Sequence, residues 1–98
     1  MSNEHKPAGP SRRGLARRLT VQALYNWLFN ETPAEKLLTQ FREDPGLGRA
    51  DGAYFTELLI GVTEQADAVT AAFIPHLDRP LHELDPAERA ILMVGTYE

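Results

Sequence analysis

The chain has no cysteine among its 98 residues. That excludes disulfide bracing and a thiolate metal site, and it fits a reducing cytosol. No apolar run approaches the roughly eighteen residues needed to span a bilayer, so no membrane partner is expected, and residues 1–10 lack the apolar segment of a signal peptide. Nowhere is a polar–apolar alternation sustained long enough to suggest a strand. Basic residues are scarce beyond position 18: residues 19–98 carry five against thirteen acids, a net of −8. Residues 1–18 reverse that balance, with Lys6, Arg12, Arg13, Arg17 and Arg18 against Glu4, a net of +4. A basic end on an acidic body points to a polyanionic partner engaged at that end.

Catalytic signatures are missing as well. No glycine-rich loop follows a strand, and no Ser/His/Asp or Cys/His set stands out. His5 sits in the leading segment, while His76 and His82 flank a proline-containing turn without metal-ligand spacing. No enzyme activity, cofactor or metal is therefore expected. Glu57 and Glu64 fall on the polar side of a helix and are read as solvated.

What is present is helical periodicity. Residues 1–10, with two prolines and a glycine, read as a disordered lead-in. A first helix over residues 11–29 places Leu15, Leu19, Ala23 and Trp27 on a buried stripe, widened by Val21, Leu24 and Leu28. Arg18, Gln22, Tyr25 and Phe29 share a separate strip. A cation, an amide and two aromatics aligned this way suit RNA better than plain solvent. The bland alternatives are a solubilising arginine cluster and aromatics at the edge of the core, a reading that fits Phe29 better than Tyr25. Four arginines at the positive end of a helix dipole nevertheless call for a counter-charge, and RNA phosphates supply one.

Thr32-Pro33-Ala34-Glu35 predicts a capped second helix over 33–43, with Leu37, Leu38 and Phe41 as its apolar contacts, closed by a loop at 44–48. Asp51 caps a third and longest helix, in which Phe55, Leu58, Leu59, Val62, Ala66, Val69 and Phe73 keep one face as far as Pro75. Residues 76–84 form a turn or short helical piece. Asp85-Pro86-Ala87-Glu88 then opens a last helix over 86–98. Its run Ala90 to Gly95 is apolar all round and needs cover on several sides. Continuation of the chain beyond Glu98 is the favoured source of that cover; a partner or a second copy, as in a homodimer, is the alternative.

The Arg-rich start (Arg12-Arg13, Arg17-Arg18), VQALYNW at 21–27, YFTELLIGV at 54–62 and LDPAERAILMVGTYE at 84–98 together resemble the transcription antitermination factor NusB family. The resemblance covers residues 12–98, and three motifs in order, on the first, third and last helices, make it specific. It implies an all-α fold of two small helical bundles: an N-terminal three-helix bundle over 11–74 and the start of a second, incomplete bundle over 75–98, shortened relative to the family. It also implies a non-enzymatic bacterial cytoplasmic protein that binds boxA-type single-stranded RNA with the ribosomal protein NusE, in an RNA polymerase antitermination complex on ribosomal RNA operons. Carried onto this sequence, the resemblance places Arg12, Arg13, Arg17 and Arg18 near RNA phosphates, makes Gln22 and Tyr25 base- or sugar-facing candidates, and assigns Glu88 and Glu83 to the NusE-facing surface. Glu88 also has a structural reason to exist, as the acid of a capping box. Two rival readings are the RNA-binding front domain of a ribosomal RNA cytosine methyltransferase, and a protein-interaction bundle with an incidental basic end.

Overall fold

The computed structural model describes residues 11–98, and the lead-in expected over residues 1–10 lies outside them. The described residues are all-α: α1 (Arg12–Asn30), α2 (Ala34–Arg42), α3 (Gly52–Glu64), α4 (Ala66–Phe73) and α5 (Pro86–Tyr97). Short 3-10 turns lie at Pro45–Arg49, Ile74–His76 and Leu81–Glu83, and no strand occurs among the described residues.

Most helix starts follow the local chemistry of the sequence. The Ser11 hydroxyl accepts from the Gly14 amide at 2.9 Å and caps α1. Asp51 caps α3 by accepting from the Tyr54 amide at 3.0 Å. At α5 the capping box is complete: Asp85 Oδ1 accepts from the Glu88 amide at 2.8 Å, and Glu88 Oε1 accepts from the Asp85 amide at 3.1 Å. The start of α2 differs from expectation. That helix begins at Ala34 with Pro33 as its N-cap and no side-chain cap, so the expected box between Thr32 and Glu35 does not form. The extended Pro33 (φ −59°, ψ 146°) occupies the half-helical position, which leaves Thr32 one residue too early to reach the first-turn amides. Glu31, at φ 58°, ends α1 in the left-handed conformation usually taken by glycine.

The long third helix expected over residues 51–73 is instead two. Gln65 (φ −110°, ψ 24°) leaves helical geometry and separates α3 from α4, which makes α1, with 19 residues, the longest helix. Just before the break, the Thr63 hydroxyl donates to the Leu59 carbonyl at 2.8 Å and to that of Ile60 at 3.2 Å. Such back-bonding competes with the helical ladder; Thr20, Thr39 and Thr56 each make it to a single carbonyl within unbroken helices, whereas Thr63 engages two beside the division. The apolar pattern runs through the break unaltered, and both Val69 and Phe73 remain buried.

The core gathers around α1. Ala16, Leu19, Ala23 and Leu24 are buried against Phe55, Leu58, Leu59 and Val62 of α3 and against Ala90, Met93 and Val94 of α5. Leu15 and Trp27, placed on the stripe by periodicity, pack half-buried at its margin, while Ala16 and Thr20 are fully buried. Thr20 is tolerated there because its hydroxyl donates to the Ala16 carbonyl at 2.7 Å. Phe41 stacks on Phe55 with ring centroids 5.6 Å apart and so ties α2 to α3. On α5, one side turns inward while Ile91 stays 59% exposed.

Candidate nucleic-acid interface

The fold brings three helix ends together. The Asp51 amide donates to the Arg12 carbonyl at 3.1 Å, joining the first turns of α1 and α3. Arg17 Nε donates to Glu98 Oε2 at 2.6 Å, joining α1 to the residue that follows α5. Trp27 and Leu28, near the other end of α1, line a cavity with Arg89, near the start of α5. The two helices therefore run antiparallel.

The four arginines expected to face phosphate have four different surroundings. Arg12 turns back onto the protein, where its Nη2 donates to the Ala50 carbonyl at 3.3 Å. Arg13 lies over the Tyr54 ring, with its guanidinium carbon 4.2 Å from the ring centroid, a cation–π contact. Arg17 lies 5.9 Å from the same centroid and pairs with Glu98. Arg18 is exposed. No acid occupies the first turn of α1 to offset its dipole.

Tyr54 and Glu98, which the sequence reading did not single out, complete the cluster. The Tyr54 hydroxyl donates to Glu98 Oε2, the same oxygen that accepts from Arg17. Partial burial pushes the Glu98 carboxyl up, but the hydrogen bonds from Tyr54 and Arg17 and the positive charges of Arg17 and Arg13 outweigh it and hold the carboxyl below its ordinary value. The Tyr54 phenol is pushed up, first by its hydrogen bond to Glu98, then by burial and by that carboxylate's charge, against the opposing charges of Arg17 and Arg13. Arg17 is held charged still more firmly than usual, chiefly through its hydrogen bond to Glu98. With the Glu98 carboxyl lowered, its contact is complete above the ordinary carboxylate range and is lost as pH falls through the lowered value.

Beside this cluster Arg17, Arg18, Val21 and Gln22 face Ile91 and Val94 of α5 across an open groove of about 480 Å³. Further along the strip, Tyr25 and Phe29 stack with centroids 5.6 Å apart and planes inclined by 27°. Tyr25 is 38% exposed and Phe29 64% exposed, so Phe29 is not the core edge its sequence setting suggested. It belongs to the same surface as Gln22 and Tyr25, and the i, i+4 pairing of two aromatics was the available signal.

The acidic candidates lie elsewhere. Glu88 Oε2 accepts from Arg79 Nη2 at 2.7 Å while Oε1 completes the cap, so both oxygens have partners. Glu83 is exposed in the turn before α5. Ten residues of helix separate Glu88 from Glu98, about 15 Å at the helical rise, so the acidic and arginine groups occupy opposite ends of α5. Among the described residues no cluster of three metal-binding side chains occurs, and no helix is long and apolar enough to cross a membrane.

Comparison with known proteins gives this arrangement a family. The model of the NusB family matches residues 15–98. A transcription antitermination protein NusB of Marinomonas sp. is 42% identical over 97 residues, which cover 97% of this chain and 56% of that protein. The namesake of Ralstonia pickettii is 42% identical over 93 residues, covering 95% and 60% respectively. That of a Shewanella species is 42% identical over 89 residues, covering 91% and 66%. This chain thus spans between 56% and 66% of the length of these relatives. By both the family match and the extent of these identities, the chain belongs to the NusB family.

Proposed function

We propose that this chain is a non-catalytic RNA-binding antitermination factor that engages boxA-type single-stranded RNA through the arginine end of α1, together with the ribosomal protein NusE, in support of ribosomal RNA operon transcription. The observation that carries the reading is the exposed surface on which Arg13, Arg17 and Arg18 adjoin Gln22 and the stacked pair Tyr25–Phe29. Arginine supplies sequence-independent affinity through phosphate, and the amide and aromatic rings suit unpaired bases, whose faces stack and whose edges accept hydrogen bonds. Arg12 contributes charge rather than a free fork, since one of its amino groups is occupied by Ala50. At the far end of α5, Glu83 and the Arg79–Glu88 pair offer a mixed-charge surface for NusE. The antitermination name of the relatives favours a free-standing factor over the front domain of a methyltransferase.

The test is a fluorescence-anisotropy titration against a boxA-type RNA and a scrambled control, with and without NusE. The expected result is preference for boxA and tighter binding when NusE is present. Binding indifferent to both sequence and NusE would reduce the arginine end to a generic polyanion site and overturn the proposal.

A further inference from the structure

Arg13 and Arg17 stand one helical turn apart on α1, at a helix end that already carries partial positive charge and has no acid in its first turn. Left to themselves, two such cations repel each other and splay into solvent. Here they share one aromatic ring: both guanidinium groups lie within cation–π reach of Tyr54, at 4.2 and 5.9 Å. Glu98 holds Arg17 through Nε at 2.6 Å and accepts from the Tyr54 hydroxyl through the same oxygen. A carboxylate bound at Nε fixes the guanidinium plane and leaves the two terminal amino groups. Those groups make no hydrogen bond within the described residues. Three elements that are distant in sequence thus converge on one pair of arginines, each with its own means of restraint: a ring face from α3, a carboxylate after α5 and the helical register of α1.

We infer that Arg13 and Arg17 form a single site for one RNA backbone phosphate, and that Tyr54 and Glu98 are the positioning residues that set its geometry. The inference rests on the RNA-binding reading above and names residues that reading does not use. Charge supports it, because two guanidinium groups and one carboxylate leave a net single positive charge, the complement of one phosphodiester. Preorganisation supports it too, since an arginine already held in place loses less side-chain freedom when phosphate arrives. Glu98 is an acid beside an anion site, so its contribution has a counter-intuitive sign. Removing it makes the surface more positive and yet weakens the site.

The experiment compares the full chain with Glu98→Ala, Glu98→Gln, Tyr54→Leu and the double change Arg13→Ala/Arg17→Ala, titrating a single-stranded boxA-type RNA over a salt series, with circular-dichroism melts in parallel. Glu98→Ala is expected to weaken binding about three- to tenfold and to flatten the log–log salt slope by about 0.7, the counterion share of one single-strand phosphate. Glu98→Gln keeps an acceptor for Arg17 Nε and is expected to restore most of the affinity. Tyr54→Leu is expected to behave like Glu98→Ala. A purely structural role would lower the melting temperature and leave the slope of the folded protein unchanged. If the double arginine variant loses affinity while Glu98→Ala binds as tightly as the parent or more tightly, the positioning role is wrong and the RNA reading survives. If the double variant binds like the parent, the RNA reading of this end fails, and the phosphate site fails with it.

Discussion

Four arginines that look interchangeable in the sequence have separate situations: Arg12 on a backbone carbonyl, Arg13 on a ring, Arg17 on a carboxylate and Arg18 in solvent. The difference comes from groups 38 to 81 positions away, which local spacing cannot reveal. Tyr54 illustrates the limit. It opens a motif that was legible as family sequence, yet its partnership with Arg13 and Glu98 exists only once α3 and α5 are docked on α1. Buried apolar positions, by contrast, were readable from periodicity, because a helix turns at a fixed rate and the core selects one face. Leu59, fully buried where α3 meets the core, is the sharpest case. Leu59→Ala is expected to lower the unfolding free energy by about 2–5 kcal/mol through lost burial and the cavity left behind, as measured by urea denaturation. A loss within the scatter of surface substitutions would show that this position is not tightly packed.

Elements were legible where a single side chain decides them. Asp51 and Asp85 cap the helices their positions announced, because a carboxylate beside the free amides of a first turn needs no tertiary support. Thr32 misled for the same local reason: Pro33 takes the capping position and displaces the threonine from the amides. The division at Gln65 was hidden because the apolar spacing from Val62 to Phe73 is that of one helix and runs through it unaltered. At α5 the cap is tied to an ion pair, since Glu88 serves the Asp85 amide and Arg79 at once. Asp85→Ala is expected to cost about 0.5–2 kcal/mol of stability and to leave RNA affinity nearly unchanged, because it acts about 20 Å along the helix from Glu98. Thermal melts and RNA titrations of that variant check both halves of the expectation.

At the scale of the molecule, the separation of charge seen in the sequence becomes a separation in space. The antiparallel pairing of α1 and α5 sets the arginines beside the end of α5 and leaves the Arg79–Glu88 pair at its start. A single helix thus carries the arginine cluster at one end and the Arg79–Glu88 pair at the other. The basic end was legible from composition alone. Its exposed aromatic extension was only half legible, because Phe29 has the composition of a core residue and the exposure of a surface one. The central claim is that this end binds RNA through arginine–phosphate contacts. Its most direct test is the salt dependence of RNA affinity for the parent chain and for Arg17→Ala/Arg18→Ala, followed by anisotropy on boxA-type and scrambled RNA. The expected result is weaker binding to both RNAs and a log–log slope flatter by roughly one to two units, as counterion release from the lost contacts disappears. An unchanged slope in the folded double variant would contradict the claim.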